Sequence, residues 1–369
     1  MVNRNGDPQL IDISPDDYAL ATSPALCSVV VGMCSYETDG QLNYNEEAVL
    51  GMAAGAAPNL QHVWLFPSPA GDSLALIAAV ALGKPPAPPG HLFFPKVQAG
   101  NLRSLSFITR GRHDINDWAA RADFSKLCYL ALPWDPALAD IAVRGELASL
   151  RNLCLWDIDM ESNSDVCQLL TALNLNSLRG LDLSGHIEEA LFDIVLDWNG
   201  TSLRYLALQP YPNYDEYVYE YGHNTPPPPM FLTPALSARL AEKCPNLERA
   251  QLRADRTLGD ARECAVYRNL GRLPRLKRLS LTLGFFVCPN EDVLDENVEN
   301  INYGEEIPRA HLSQAFTNAA VDAGLARAIF DRLVSSPSGG LQHLQLLIRR
   351  TQGRYAPATG DQQFRGLLS

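Results

Sequence analysis

Long apolar runs and paired cysteines are the first features that the sequence lacks. Its longest apolar run, Leu74 to Leu82, is far shorter than the roughly 20 residues that a membrane-spanning helix needs. The polar, acidic N-terminus has no apolar core of the kind found in signal peptides. The eight cysteines include no C-x-x-C pair, which is typical of free, mostly buried thiols in a reducing compartment. We therefore expect a soluble protein of the cytoplasm or nucleus, with no membrane partner.

Positive charge is also scarce. The chain has 30 Lys and Arg residues against 42 Asp and Glu residues, which gives a formal net charge of −12 and a pI near 5.0. A protein that binds nucleic acid usually carries a basic surface that neutralises phosphates. The charge balance therefore argues against a nucleic-acid partner.

Motifs that carry catalytic or metal chemistry are missing as well. The seven histidines show no H-x-x-x-H or H-E-x-x-H spacing, and the sequence contains neither a G-x-S-x-G elbow nor a G-x-x-x-x-G-K-[ST] phosphate loop. Asp157 and Asp159 could supply paired carboxylates at the end of a strand, but loop residues in solvent are the simpler interpretation. We predict no catalytic residue, no metal site and no cofactor. An enzyme of unknown class stays as a distant alternative.

A leucine pattern is what the sequence does contain. The phrase L-x-x-L-x-L begins at Leu127, Leu150, Leu178 and Leu203, at spacings of 23, 28 and 25 residues. Five less regular copies bring the number to nine. A repeat at this period is the signature of a solenoid, and 20 to 29 residues is the range of leucine-rich repeats.

The phrase predicts a strand because its last two leucines are two residues apart and so point to the same side of the backbone. The segments between phrases carry apolar residues at i, i+3 and i+4, which predicts one short helix per repeat. The expected fold is an α/β leucine-rich-repeat solenoid with irregular repeats. Its parallel sheet would line the concave face, and its helices the convex face. A set of amphipathic helices is the alternative, because L-x-x-L also fits a helical period.

The organisation of the chain follows from these patterns. Residues 1–25 are expected to be a flexible lead-in, 26–350 one solenoid, and 351–369 a loose tail. Three inserted loops are predicted within the solenoid, at about residues 84–97, 210–232 and 288–310. Among the helices, Thr233-Pro234 gives a clean start to one, and the segment 313–334 has the strongest helical pattern.

The residues that alternate with the leucines define a candidate binding surface. They point away from the leucine core, and several are aromatic residues or arginines, the types enriched at the energetic centres of protein interfaces. The alternative is that the loops around Pro85–Pro95 or Tyr211–Tyr221 cover some of these aromatic rings. The predicted partner-binding residues are His62, Trp64, Phe66, Tyr129, Trp156, Tyr205, Arg249, Arg253 and Arg278. They predict a non-enzymatic scaffold that binds a protein partner, still unidentified, on the concave face.

The wording of the repeats adds a family resemblance. The segments CPNLERA, LPRLKRLSL and APNLQHVWL resemble the irregular repeats of fungal F-box and related leucine-rich-repeat proteins, over roughly residues 45–350. The resemblance implies a second function, as the substrate-recognition subunit of an SCF-type ubiquitin ligase, with a ligase adaptor as partner. In that family an N-terminal F-box recruits the adaptor. The first 45 residues here contain no F-box-like helical segment.

Overall fold

The fold is taken from a computed structural model. It describes two compact units, one comprising Met1–Ile158 and Ser164–Leu178 and the other Asp159–Asn163 and Arg179–Ser369. The residues described are 19, 21–33, 49–67, 100–107, 114–173, 178–209, 230–286, 320–335, 340–351 and 366–368. The predicted loops at 84–97 and 288–310, and most of the loop at 210–232, lie outside them.

The first unit contains five parallel strands in chain order. Each pairs in register with its neighbour, as when Tyr129 of the fourth strand lies opposite Asn152 of the fifth. The strands are β1 (Ser28–Met33), β2 (His62–Pro67), β3 (Ser104–Phe107), β4 (Tyr129–Pro133) and β5 (Asn152–Ile158). The connections contain a π-helical turn (Met52–Ala56), α1 (Ile115–Arg121), a 3-10 turn (Phe124–Lys126), α2 (Ala137–Val143) and α3 (Asn163–Ala172).

The second unit repeats the plan with longer helices. Its strands β6 to β10 are parallel and again follow chain order, while β11 runs antiparallel to β10. The strands are β6 (Gly180–Gly185), β7 (Tyr205–Gln209), β8 (Arg249–Asp255), β9 (Arg278–Phe286), β10 (His343–Thr351) and β11 (Gly366–Leu368). The connections contain α4 (Glu189–Ile194), a π-helical turn (Val195–Asn199), α5 (Pro234–Lys243), α6 (Ala261–Gly271) and α7 (Ala323–Val334).

Each of the nine leucine phrases forms one of these strands, so the strand prediction is confirmed and the all-helical alternative is wrong. The alternating leucines are buried in register across neighbouring strands, as with Leu130 beside Leu153 and Leu132 beside Leu155. The outcome is an α/β repeat architecture in each unit. Its core lies on the leucine side of the sheet, where the connecting helices supply further apolar side chains such as Trp118.

A backbone hydrogen-bond ladder links successive repeats where each strand begins. The Arg103 carbonyl accepts from the amides of both Cys128 and Tyr129, at 2.8 and 3.0 Å. In the second unit, the Arg179 carbonyl accepts in the same way from Arg204 and Tyr205. Because one carbonyl accepts from two successive amides, both of these N–H groups have a hydrogen-bond partner where the strand begins.

The asparagine of the P-N-L wording makes a second link between repeats. The Asn59 side-chain amide donates to the Pro24 carbonyl, and the Asn246 amide donates to the Thr201 carbonyl, each at 2.7 Å. Each asparagine therefore caps a carbonyl in the turn of the preceding repeat. In these two repeats, the asparagine contact lies just ahead of the strand.

Two glycines set how closely the connecting segments pack. A Cβ atom built on Gly100 would collide with the Ala53 carbonyl, and one on Gly271 would collide with the Leu333 carbonyl. Only glycine permits such a close approach of two backbones.

Several expectations need correction. The helix predicted over 313–334 is not continuous, because residues 320–322 are not helical and α7 begins at Ala323. The Asp322 carboxylate caps it by accepting from the Leu325 amide at 2.7 Å. Residues 313–319 lie outside the described part. Residues 366–368 pair with β10 in a stretch where the sequence predicts a loose tail. Of the cysteines described, only Cys244 is buried, so the expectation of mostly buried thiols is wrong. Strand cysteines such as Cys154 lie at alternate positions facing away from the leucines.

Candidate partner-binding faces

The first unit exposes apolar side chains on the face of its sheet opposite the leucines. Val30 and Trp64 are neighbours in the β1–β2 register, and they are 56% and 49% exposed. Tyr129, on β4, is 37% exposed. We call Val30, Trp64 and Tyr129 the aromatic face.

Short side chains separate the two rings of the aromatic face. Ser106 of β3 lies opposite Trp64 of β2, and Ser104 of β3 lies opposite Tyr129 of β4. Ser104 is buried and Ser106 is half-buried. β3 therefore carries only short side chains at these two positions.

The other predicted residues of this unit contribute less surface. His62, Phe66 and Trp156 are all half-buried. The Trp156 carbonyl accepts from the Trp134 amide at 2.6 Å, which ties the end of β5 to the chain that leaves β4. Trp64 and Tyr129 are therefore the exposed rings of this unit, whereas Trp156 is half-buried.

The second unit carries a row of polar residues on the corresponding face. Tyr205, Arg249, Arg278 and His343 lie side by side in register on β7, β8, β9 and β10. Both arginines are exposed, whereas Tyr205 and His343 are half-buried. We call these four residues the basic row.

A carboxylate lies beside one end of the basic row. The Tyr205 hydroxyl donates to Oδ2 of Asp182 at 3.1 Å. Burial raises the pKa of Asp182, and the hydrogen bond from Tyr205 partly offsets that effect. The Asp182 carboxylate and the Tyr205 hydroxyl are therefore hydrogen-bond partners. This bond holds the Tyr205 side chain in place, and Tyr205 is less accessible than the alternation predicts.

Arg253 is not exposed as the alternation predicts. It is only 7% exposed, and its guanidinium carbon lies 4.5 Å from the centre of the Phe231 ring. The cover is held in place by a backbone bridge in which the Leu232 amide donates to the Arg253 carbonyl at 2.8 Å. A cation on an aromatic ring is a favourable contact. Arg253 is thus occupied within its own unit.

A buried polar cluster was missed by sequence reasoning. Glu263 is 3% exposed, and its carboxylate accepts from Arg256 at 2.8 and 2.9 Å and from the Tyr267 hydroxyl at 2.6 Å. It also accepts from the amides of Thr257 and Gly259 at 2.7 and 2.8 Å. The cluster fastens the β8–α6 loop to α6 and has no open side for a ligand. The R-x-x-x-x-x-x-E-x-x-x-Y spacing was its only signal in the sequence.

Of the two candidate carboxylates at the end of β5, Asp159 has a structural role. Asp159 accepts from both the amide and the hydroxyl of Ser162, at 2.8 and 2.5 Å, so it closes a turn. No group of three or more metal-ligating side chains occurs among the described residues. Within the same residues, no helix is both long and apolar enough to cross a membrane.

Asn199 is the acceptor residue of an N-glycosylation sequon, Asn199-Gly200-Thr201. Its side chain is fully buried, and neither its amide nitrogen nor its oxygen has a hydrogen-bond partner. A glycan could not be attached to the folded unit without displacing this side chain from the core.

Comparison with known proteins assigns no family to the chain. The sequence matches no protein-family model, and no curated protein sequence matches it significantly.

Proposed function

We propose that the chain is a non-enzymatic leucine-rich-repeat protein that binds a protein partner through the leucine-free faces of its sheets. The observation that carries the proposal is the aromatic face, where Val30 and Trp64 are exposed side by side and Tyr129 is exposed across the short side chains of β3. Exposed apolar side chains grouped on one surface are typical of protein-binding sites, and tryptophan and tyrosine are the commonest anchors there.

The parallel strands also favour binding over chemistry. Residues at alternate positions of every strand face the same side, so a partner meets a regular grid of side chains. The buried Glu263 cluster within the described residues is engaged in its own hydrogen bonds. The ubiquitin-ligase role rests on the wording of the repeats alone, and no contact of the described residues favours it.

The proposal is tested by removing the rings without disturbing the core. Trp64→Ala and Tyr129→Ala are compared with Trp198→Ala, a matched control because Trp198 is 43% exposed on the π-helical turn of the second unit. Proteins captured from an extract by the parent chain are identified by mass spectrometry, and each is then titrated against the purified variants. We expect at least a tenfold loss of affinity in the two face variants and none in the control, since truncating an anchor typically costs about 2 kcal/mol or more. Unchanged affinity for every captured protein, with the variants folded, would overturn the proposal.

A further inference from the structure

Two arginines of the basic row form an uncompensated pair. Arg249 and Arg278 lie directly opposite each other on the adjacent strands β8 and β9, and both are exposed. Neither makes an ion pair or a hydrogen bond from its side chain within the described residues. Like charges placed opposite each other on neighbouring strands are unfavourable unless a counter-charge lies between them.

The carboxylates nearest in sequence are already engaged. Glu248 accepts from Lys277 at 3.0 Å and lies 3.7 Å from Arg204, and these contacts lower its pKa. On the sheet face itself, Asp182 is held by Tyr205. The positive charge of the arginine pair therefore has no internal partner among the carboxylates placed around it.

The dimensions of the row suit an extended chain. Four neighbouring strands span roughly 14 Å from Tyr205 to His343, because adjacent strands lie about 4.8 Å apart. In an extended peptide, alternate side chains on one side are about 6.8 Å apart, so a five-residue segment covers the row. The planar fork of an arginine also matches the geometry of a carboxylate.

We propose that the basic row binds an acidic, extended segment of the partner protein, whose Asp or Glu side chains pair with Arg249 and Arg278. This proposal rests on the proposed function, because it assigns a chemical class to what the second unit binds. Tyr205 and His343 border the pair on either side and limit the segment to side chains that fit between them.

Charge variants of the 369-residue chain test this assignment. The probe is a fluorescein-labelled dodecapeptide of alternating Glu and Ser, and its affinity is measured by fluorescence anisotropy. Arg249→Ala and Arg278→Ala are expected to weaken binding about tenfold each, and added salt to weaken binding to the parent chain. The matched control is Arg327→Ala, which removes the same charge from an exposed position on α7. Thermal unfolding of each variant confirms that the fold is kept.

Four results would overturn the proposal. One is an equal loss of affinity in Arg327→Ala, which would mean that only net charge matters. Another is equal binding of a peptide in which every Glu is replaced by Gln. The third is binding of a phosphoserine peptide that lacks Asp and Glu, or of oligouridylate, in place of the acidic peptide, that depends on Arg249. If the acidic peptide fails while Trp64→Ala still releases the captured partners, this inference is wrong and the proposed function stands.

Discussion

Replacement of Glu263 tests how the second unit is held together. In Glu263→Ala the carboxylate that accepts from Arg256, Tyr267, Thr257 and Gly259 is lost, and the Arg256 guanidinium remains buried with no counter-charge. Breaking a buried ion pair by removing one partner costs about 3–5 kcal/mol. For a unit of this size, 1 kcal/mol corresponds to about 2–4 °C in Tm, so we expect Tm to fall by about 6–20 °C.

The same group gives the prediction a pH dependence. Burial by itself would raise the pKa of Glu263, but the hydrogen bonds from Tyr267, Gly259 and Thr257, with the charge of Arg256, lower it below the usual 4.5. A lowered folded-state pKa means that this stabilisation is fully present above pH 4.5 and is lost as the pH falls through the folded-state value. The Tm difference between parent and Glu263→Ala should therefore be largest near pH 7 and shrink on acidification.

The assay is thermal unfolding followed by circular dichroism at several pH values. Glu242→Ala is the matched control, because Glu242 is exposed on α5. A double variant, Arg256→Met with Glu263→Met, should cost less than the two single changes added together, since no buried charge is left unpaired. A Glu263→Ala variant that melts within about 2 °C of the parent at pH 7, or a control that melts equally early, would refute the reasoning.

Two further predictions concern packing and thiol reactivity. Gly271→Ala should lower the free energy of unfolding by about 1–3 kcal/mol despite alanine's better helix propensity, because the added Cβ would collide with the Leu333 carbonyl. Gly324→Ala is the control and should be neutral or stabilising, because its added Cβ meets only the Asp322 side chain. Chemical denaturation measures both variants, and the opposite order of stability would contradict the packing argument. Cys27 is exposed and should react with a thiol reagent at pH 8 in the folded protein. Burial raises the pKa of the Cys244 thiol to about 12 and should protect this thiol until the protein unfolds. Equal labelling rates of the two cysteines would contradict this prediction.

Much of the fold could be predicted because the leucine pattern acts through a simple geometric rule. Residues two apart on a strand share a face, so Leu153 and Leu155 had to be buried together once a strand was assigned. Thr233 caps α5 as predicted, accepting from the Leu236 amide at 3.2 Å. Each of these features depends only on residues close in sequence.

The features that sequence did not predict depend on contacts between distant segments. The alternation rule correctly gives Arg253 the side of the sheet away from the leucines, but it contains no information about Phe231, which covers that arginine. The Asn246 contact with Thr201 joins residues of two different repeats, and its periodicity is hidden because most repeats lack the P-N-L wording. Val30 was not predicted because the candidate residues were taken from between the leucines of the repeat phrase, and β1 contains no such phrase.

The way the repeats are held together explains why stability and binding can be tested separately. Leucine side chains and the backbone ladder hold neighbouring strands, and neither involves the outward side chains of Trp64, Arg249 or Arg278. An exposed substitution away from such contacts usually changes stability by no more than about 0.5 kcal/mol. A large effect on binding at these positions with an unchanged Tm would therefore report recognition and not folding. The reverse result, a lowered Tm at Arg249 or Arg278, would show that these arginines belong to the framework.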